Sequence, residues 1–204
     1  MRWYAMIVLC VFFSGARAQP AFLVPVADPP PTYPKALHRA GITGAVRVSF
    51  SVQADGSVSN VTVPANAHPE LAEAARAAVS RWRYQPWDVS DGRPASIDVV
   101  APMDFKLDLI PEENANESLK KLRCADVSRV AQHYAEYSWV DLPVFSWTRS
   151  YLSQSIPAAQ LPEEKRLALI AKLNKNIPGI VRRCNQYPMS PYVRMLPNEI
   201  RDLL

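Results

Sequence analysis

The chain has 204 residues, 49% of them hydrophobic, with 23 basic and 19 acidic side chains and a formal charge of +4. That apolar content excludes a disordered chain, and so small a net charge excludes an electrostatic nucleic-acid surface. With only six glycines there is no phosphate-cradling glycine loop.

At the start, Arg2 precedes an eleven-residue apolar run, Trp3 to Phe13, and Ala16-Arg17-Ala18 is a small-x-small cleavage signal. As a helix the run rises only ~16 Å, about half of a ~30 Å hydrocarbon core. Residues 1–18 are therefore expected to be a signal peptide that delivers the protein to the periplasm, in preference to an inner-membrane anchor through residues 3–16. Cys10 follows Leu9, where lipoprotein processing requires a small residue, so no lipid anchor is expected. Cleavage removes Arg2 and Arg17 and no acid, which lowers the charge from +4 to +2. It also leaves two cysteines, Cys124 and Cys184, which in an oxidising compartment are expected to form one disulfide.

Residues 19–32 form a proline-rich arm, with Pro29-Pro30-Pro31 at its centre, that is expected to be extended. Pro34 then opens a short helix that Gly41 stops. Val46, Val48, Phe50 and Val52 alternate with Arg47, Ser49, Ser51 and Gln53, the pattern of a half-buried antiparallel strand. Asp55-Gly56 supplies the hairpin, since it accepts the positive φ of a tight turn. The return strand, Val58 to Val63, changes phase between Val58 and Val61 and so predicts a bulge. Pro69 opens a second helix with Leu71, Ala75, Ala78, Val79 and Trp82 on one stripe, facing the sheet.

The third strand has Ile97, Val99, Ala101, Met103, Phe105, Leu107 and Leu109 on one face and Asp98, Asp104, Lys106 and Asp108 on the other. Pro102 lies inside it and has no N–H to donate, so the strand is expected at a sheet edge. After Pro111-Glu112-Glu113-Asn114 the periodicity becomes helical. Leu119, Leu122, Val127, Val130 and Ala131 form one set, Val144 to Leu152 a second, and Pro162-Glu163-Glu164 starts a helix that Pro178-Gly179 is expected to interrupt. Leu196 to Leu204 adds a last helical segment. Trp139, Phe145, Trp147 and Tyr151 are expected in the core of this half.

His38, His68 and His133 have no carboxylate or cysteine at ligand spacing, and no Gly-x-Ser-x-Gly or pocket-forming acid pair occurs. No metal, cofactor, small-molecule substrate or catalysis is expected. Trp82 is expected in the core and Tyr33-Pro34 against the sheet, while the roles of Arg83 and Tyr84 stay open.

Tyr33-Pro34, Ala36, Gly41, Gly44, Asp55-Gly56, the run Trp82-Arg83-Tyr84-Gln85-Pro86, Gly92, Pro94, and Pro102 with Phe105 occur in an order that closely resembles the C-terminal domain of TonB family proteins. The resemblance covers about residues 31–109. It implies an α+β domain over 33–109, a three-stranded antiparallel sheet with helices on one face, followed by a mostly helical region over 110–204 that resembles no family. It also implies binding of an envelope protein, a segment of an outer-membrane receptor, by strand addition, with a role in transmembrane transport. The pairing strand would be Ser96, Ile97, Asp98, Val99, Val100, Ala101, Pro102, Met103, Asp104, Phe105 and Lys106. Family transducers carry an uncleaved membrane helix and a long proline-rich spacer, whereas the arm here spans at most ~45 Å. The alternative is a scaffold protein of the envelope whose edge strand pairs with its own copy in a homodimer.

N-terminal sequencing of the protein recovered from the envelope is expected to read from Gln19. Recovery of a membrane-embedded form that keeps Trp3 would show an anchored protein instead.

Overall fold

The computed structural model describes residues 23–107 and 115–204. The cleavage signal, Asp108, Leu109 and the Pro111 to Asn114 stretch lie outside the described residues. The first half is an α+β unit of β1 (Pro25–Ala27), α1 (Lys35–Ala40), β2 (Gly44–Gln53), β3 (Val58–Thr62), α2 (Pro69–Val79), β4 (Arg83–Tyr84) and β5 (Ser96–Phe105). β2 is the central strand of an antiparallel sheet in the order β3-β2-β5, and β1 pairs with β4 in a separate two-stranded sheet.

The alternation in β2 is obeyed: Val46, Val48, Phe50 and Val52 are buried against α1 and α2, with Leu71, Ala75, Ala78 and Val79 opposite them. Val99, Met103 and Phe105 extend the same layer from β5. Gly56 occupies the turn at φ 82°, and a Cβ there would lie 2.1 Å from the Tyr84 carbonyl oxygen. The bulge predicted in the return strand is present. Ser51 pairs with Ser59 but Ser49 with Thr62, and Asn60 takes up the extra residue at φ 52°.

From Leu23 onward the N-terminal arm lies against the domain. Leu23 is buried, the Gln85 N–H donates to the Val24 carbonyl at 2.9 Å, and the Trp82 indole N–H donates to the Pro29 carbonyl at 3.0 Å. α2 ends at Val79, so Trp82 lies beyond the helix and is half-buried, edge-on to Phe50 with centroids 5.6 Å apart. Tyr33 is pinned to the sheet end: its hydroxyl donates to the Ile42 carbonyl at 2.5 Å and its ring meets Phe105 edge-on at 5.3 Å. Burial pushes that hydroxyl up to about 12, so it stays a donor throughout the neutral range.

The second half is helical: α3 (Ala115–Lys121), α4 (Cys124–Ala131), α5 (Pro143–Ser150), α6 (Glu163–Gln186) and α7 (Asn198–Arg201). The expected interruption at Pro178-Gly179 does not occur. α6 runs through it, and although an interior proline costs ~3 kcal/mol, Ile177 before it and Ile180, Val181 and Cys184 after it are all buried in one core. Burying four such side chains on both sides of Pro178 holds the two segments in one helix. Of the four aromatics expected in the core, Phe145 is fully buried, Trp139 and Tyr151 pack at its margin, and Trp147 is 37% exposed.

The halves meet at α1. Arg39 grips Asp141 with two hydrogen bonds, Nε to Oδ1 at 2.8 Å and Nη2 to Oδ2 at 2.6 Å. These bonds hold the Asp141 carboxyl below the usual carboxylate range. The Asn174 amide on α6 donates to the Arg39 carbonyl at 2.7 Å, and its Oδ1 accepts from buried Arg149 at 3.1 Å. Gly41, at φ 74°, closes α1 directly against Ile170, whose Cδ1 lies 2.4 Å from where a Cβ would be.

Cys124 and Cys184 are joined in a disulfide between α4 and α6, across a sequence separation of 60. Loop closure of this length stabilises by about 4 kcal/mol in the chain-entropy model. The Cys124→Ser/Cys184→Ser double variant is expected to lose stability of that order in denaturant unfolding, and two titratable thiols in the native protein would show that the bond does not form. Phe105→Ala is expected to cost ~3 to 5 kcal/mol through the cavity it leaves, measured by thermal melting.

Candidate protein-binding edge

The sheet has two edges, and they differ as templates for a further strand. β3 is five residues long and broken by the αL residue Asn60, so its hydrogen-bonding groups are not in a regular row. β5 is ten residues long and pairs one-to-one with β2 from Gly44↔Phe105 to Gln53↔Ser96, without a bulge. Among the described residues, β2 is the one strand hydrogen-bonded to β5.

Register then fixes which backbone groups of β5 are in use. The Ala54 N–H donates to the Ala95 carbonyl at 2.9 Å, so Ala95 directs its polar groups toward β2. In an antiparallel strand successive residues alternate in this respect. Ile97, Val99, Ala101, Met103 and Phe105 therefore bond to β2, and Ser96, Asp98, Val100, Pro102 and Asp104 direct their backbone groups to the open edge. Pro102 stands opposite Arg47 at a position where no bond to β2 is called for, so its missing N–H costs the sheet nothing. It removes one donor from the edge and leaves Ser96, Asp98 and Val100 as an uninterrupted series.

The side chains of the same residues lie on the face away from the helices. Ser96, Asp98, Val100, Pro102 and Asp104 are exposed, Val100 to 58%, while Ile97 and Ala101 on the inner face are half-buried. Lys106 lies one residue past the strand and pairs with Asp104 at 3.3 Å. Asp98 is differently placed. Ser51, directly across on β2, donates its hydroxyl to Asp98 Oδ1 at 2.7 Å, and the Asn60 amide donates to the Ser51 hydroxyl at 3.3 Å. A hydrogen-bonded row thus crosses all three strands on the outer face, and Ser51 within it is only 7% exposed.

The sequence reading did not single out Ser51 or Asn60. The available signal was the run of short polar residues Ser49, Ser51 and Gln53 facing outward, combined with an asparagine at the phase change of β3. The open questions at the end of α2 resolve locally. Tyr84 is buried and stacked on Phe50, and the Arg83 guanidinium donates to the Trp82 carbonyl at 2.7 Å. Upstream of β5, the Trp87 indole N–H donates to the Pro94 carbonyl at 2.8 Å and its backbone N–H to Ala54 at 2.9 Å, which anchors the loop that leads into the strand.

Among the described residues, hydrogen bonds join the two halves at Arg39 and, past the strand, at Leu107, whose carbonyl accepts from Gln154 Nε2 at 3.0 Å. None of them uses the outward backbone groups of Ser96 to Asp104.

Comparison with known proteins finds similar sequences over the first half of the chain. Protein TonB of Xanthomonas campestris pv. campestris is 37% identical over 79 residues, 38% of this chain and 35% of that protein. Protein TonB of Pseudomonas aeruginosa is 28% identical over 85 residues, 41% of this chain and 25% of that protein. The chain thus spans about a third or less of the length of these relatives. The solution NMR structure of the Pseudomonas aeruginosa TonB CTD superposes with a TM-score of 0.38 at 26% identity, covering 45% of this chain and 92% of that one. Over residues 29–107 the chain matches the Gram-negative bacterial TonB protein C-terminal family, and the match ends before the helical half begins.

Proposed function

We propose that this protein is a non-catalytic periplasmic binding protein that captures an extended segment of an envelope partner by adding it as a fourth strand beside β5. The partner implied by the family likeness is a segment of an outer-membrane receptor, and the process served is transport across the envelope. The observation that carries this reading is the parity of β5. A regular ten-residue edge strand directs an unbroken donor series at Ser96, Asp98 and Val100 to the outside, with Pro102 placed so that the sheet itself loses nothing.

Such an edge supplies affinity through the backbone, at about 0.5 to 1.5 kcal/mol net for each hydrogen bond formed. It tolerates varied side chains in the partner, with specificity left to the alternate positions that meet Asp98 and Val100. The same groups would serve self-pairing, which differs in one measurable respect: it yields a dimer from the purified chain. No helix among the described residues is long and apolar enough to cross a membrane.

Val100→Pro tests the reading, because Val100 shares the parity of Pro102. The substitution removes an outward N–H and leaves the ladder to β2 complete, so the fold is expected to survive. Capture of the partner from envelope extract is expected to weaken by ~1 to 3 kcal/mol, the value of one or two hydrogen bonds. Undiminished capture by a folded Val100→Pro protein would exclude strand addition at β5 and move the search to the helical half. A mass that doubles with concentration in the absence of partner would establish self-pairing.

A further inference from the structure

We propose that Asp98 selects the incoming strand by charge, so that the edge takes an extended segment carrying a lysine or arginine opposite Asp98 and apolar side chains at the next same-face positions toward Val100 and Pro102. This rests on the edge-strand reading above and adds to it the chemistry of the occupant.

Two carboxylates stand on the outer face of β5, and only one is compensated. Asp104 is paired with Lys106 and lies beyond Pro102, past the gap in the donor series. Asp98 lies inside that series, between Ser96 and Val100, and among the described residues it makes no ion pair. Its side-chain hydrogen bond among the described residues is the bond to Ser51, which fixes the side chain on the outer face and still leaves acceptor positions free. The Asn60 to Ser51 bond holds the serine hydroxyl in place from the opposite side, so three strands contribute to the setting of one carboxylate. A strand added to β5 would bring a side chain to about 4.5–5.5 Å from Asp98, Cβ to Cβ, and a long cationic side chain there reaches the carboxylate. The neighbouring Val100, 58% exposed, and Pro102 offer apolar surface to the following same-face residues. An acidic residue opposite Asp98 would meet it unscreened by any basic partner, and like charges at directly opposed positions are destabilising.

The test uses a pair of blocked, fluorescein-labelled nine-residue peptides of alternating valine and threonine that differ by lysine or glutamate at the centre. Fluorescence anisotropy with the full chain at low ionic strength is expected to show the lysine peptide bound about two- to thirty-fold more tightly. That ratio is expected to shrink as salt is raised, since the pair is solvent-facing. Asp98→Asn keeps the acceptor for Ser51 and is expected to melt like the parent protein while abolishing the preference. Asp98→Lys is expected to invert it, and Val100→Pro to weaken both peptides alike. Equal binding of the two peptides, unchanged by Asp98→Asn but weakened by Val100→Pro, would overturn the charge selection and leave the edge reading standing. Binding of neither peptide, or binding indifferent to Val100→Pro, would overturn both.

Discussion

Gly44 pairs with Phe105 and Gln53 with Ser96, with one-to-one partners at every step between, and this register does two things at once. It places Val99, Met103 and Phe105 beside Val46, Val48, Phe50 and Val52 on the buried face. It also decides which residues of β5 use their backbone groups inside the sheet and which present them outside. A slip of one residue would turn the apolar set to solvent and simultaneously bring Pro102 into a position where β2 needs a donor. Core packing and the ladder therefore penalise the same error, and the edge that results is a consequence of the core.

Much of the first half was legible because its signals are local. Alternation in β2, Asp55-Gly56 in the turn, Pro69 at the start of α2 and the phase change in β3 each depend on a few adjacent residues. Pro102 was legible as an edge marker for a related reason: proline tests one hydrogen bond, and the strand's place in the sheet follows. Docking of the N-terminal arm was not legible, since the proline run predicts an extended backbone and says nothing of what that backbone touches. The Trp82 to Pro29 and Gln85 to Val24 bonds tie the arm down through contacts more than fifty residues apart in the chain.

In the helical half the misreading at Pro178 arises because tertiary burial outweighs local propensity. Pro178 reads as a break, and would be one in an isolated peptide. Between Ile177 and the Ile180, Val181, Cys184 group it is carried through, because the core holds both flanks and the disulfide to Cys124 fixes the far one. Trp147 reads as core from its neighbours Phe145 and Tyr151, yet α5 buries the small and polar Ser146, Thr148, Arg149 and Ser150 along with Val144 and Phe145 and leaves Trp147 exposed. The outer-face row of Asn60, Ser51 and Asp98 was hidden for a different reason. It exists only once three strands are in register, and Asn60 reaches Ser51 through a bulge that sequence locates but does not orient.

The junction between the halves determines whether the open edge is usable. Arg39 and Asp141 are 102 residues apart and both partly exposed, so their paired hydrogen bonds alone are a modest attachment. The attachment is reinforced from behind. Asn174 holds the carbonyl of the same Arg39 and is itself held by Arg149, a fully buried guanidinium that also donates to the Val140 carbonyl one residue before Asp141. Arg149 thereby braces both sides of the contact, the α6 side through Asn174 and the Asp141 side through Val140. A buried arginine is costly to desolvate, and its hydrogen bonds to Val140 and Asn174 offset that cost while tying two parts of the chain together. The orientation it sets puts the helical half on α1 and on Leu107 just past β5, so these bonds leave the outward groups of Ser96, Asp98 and Val100 available to a fourth strand.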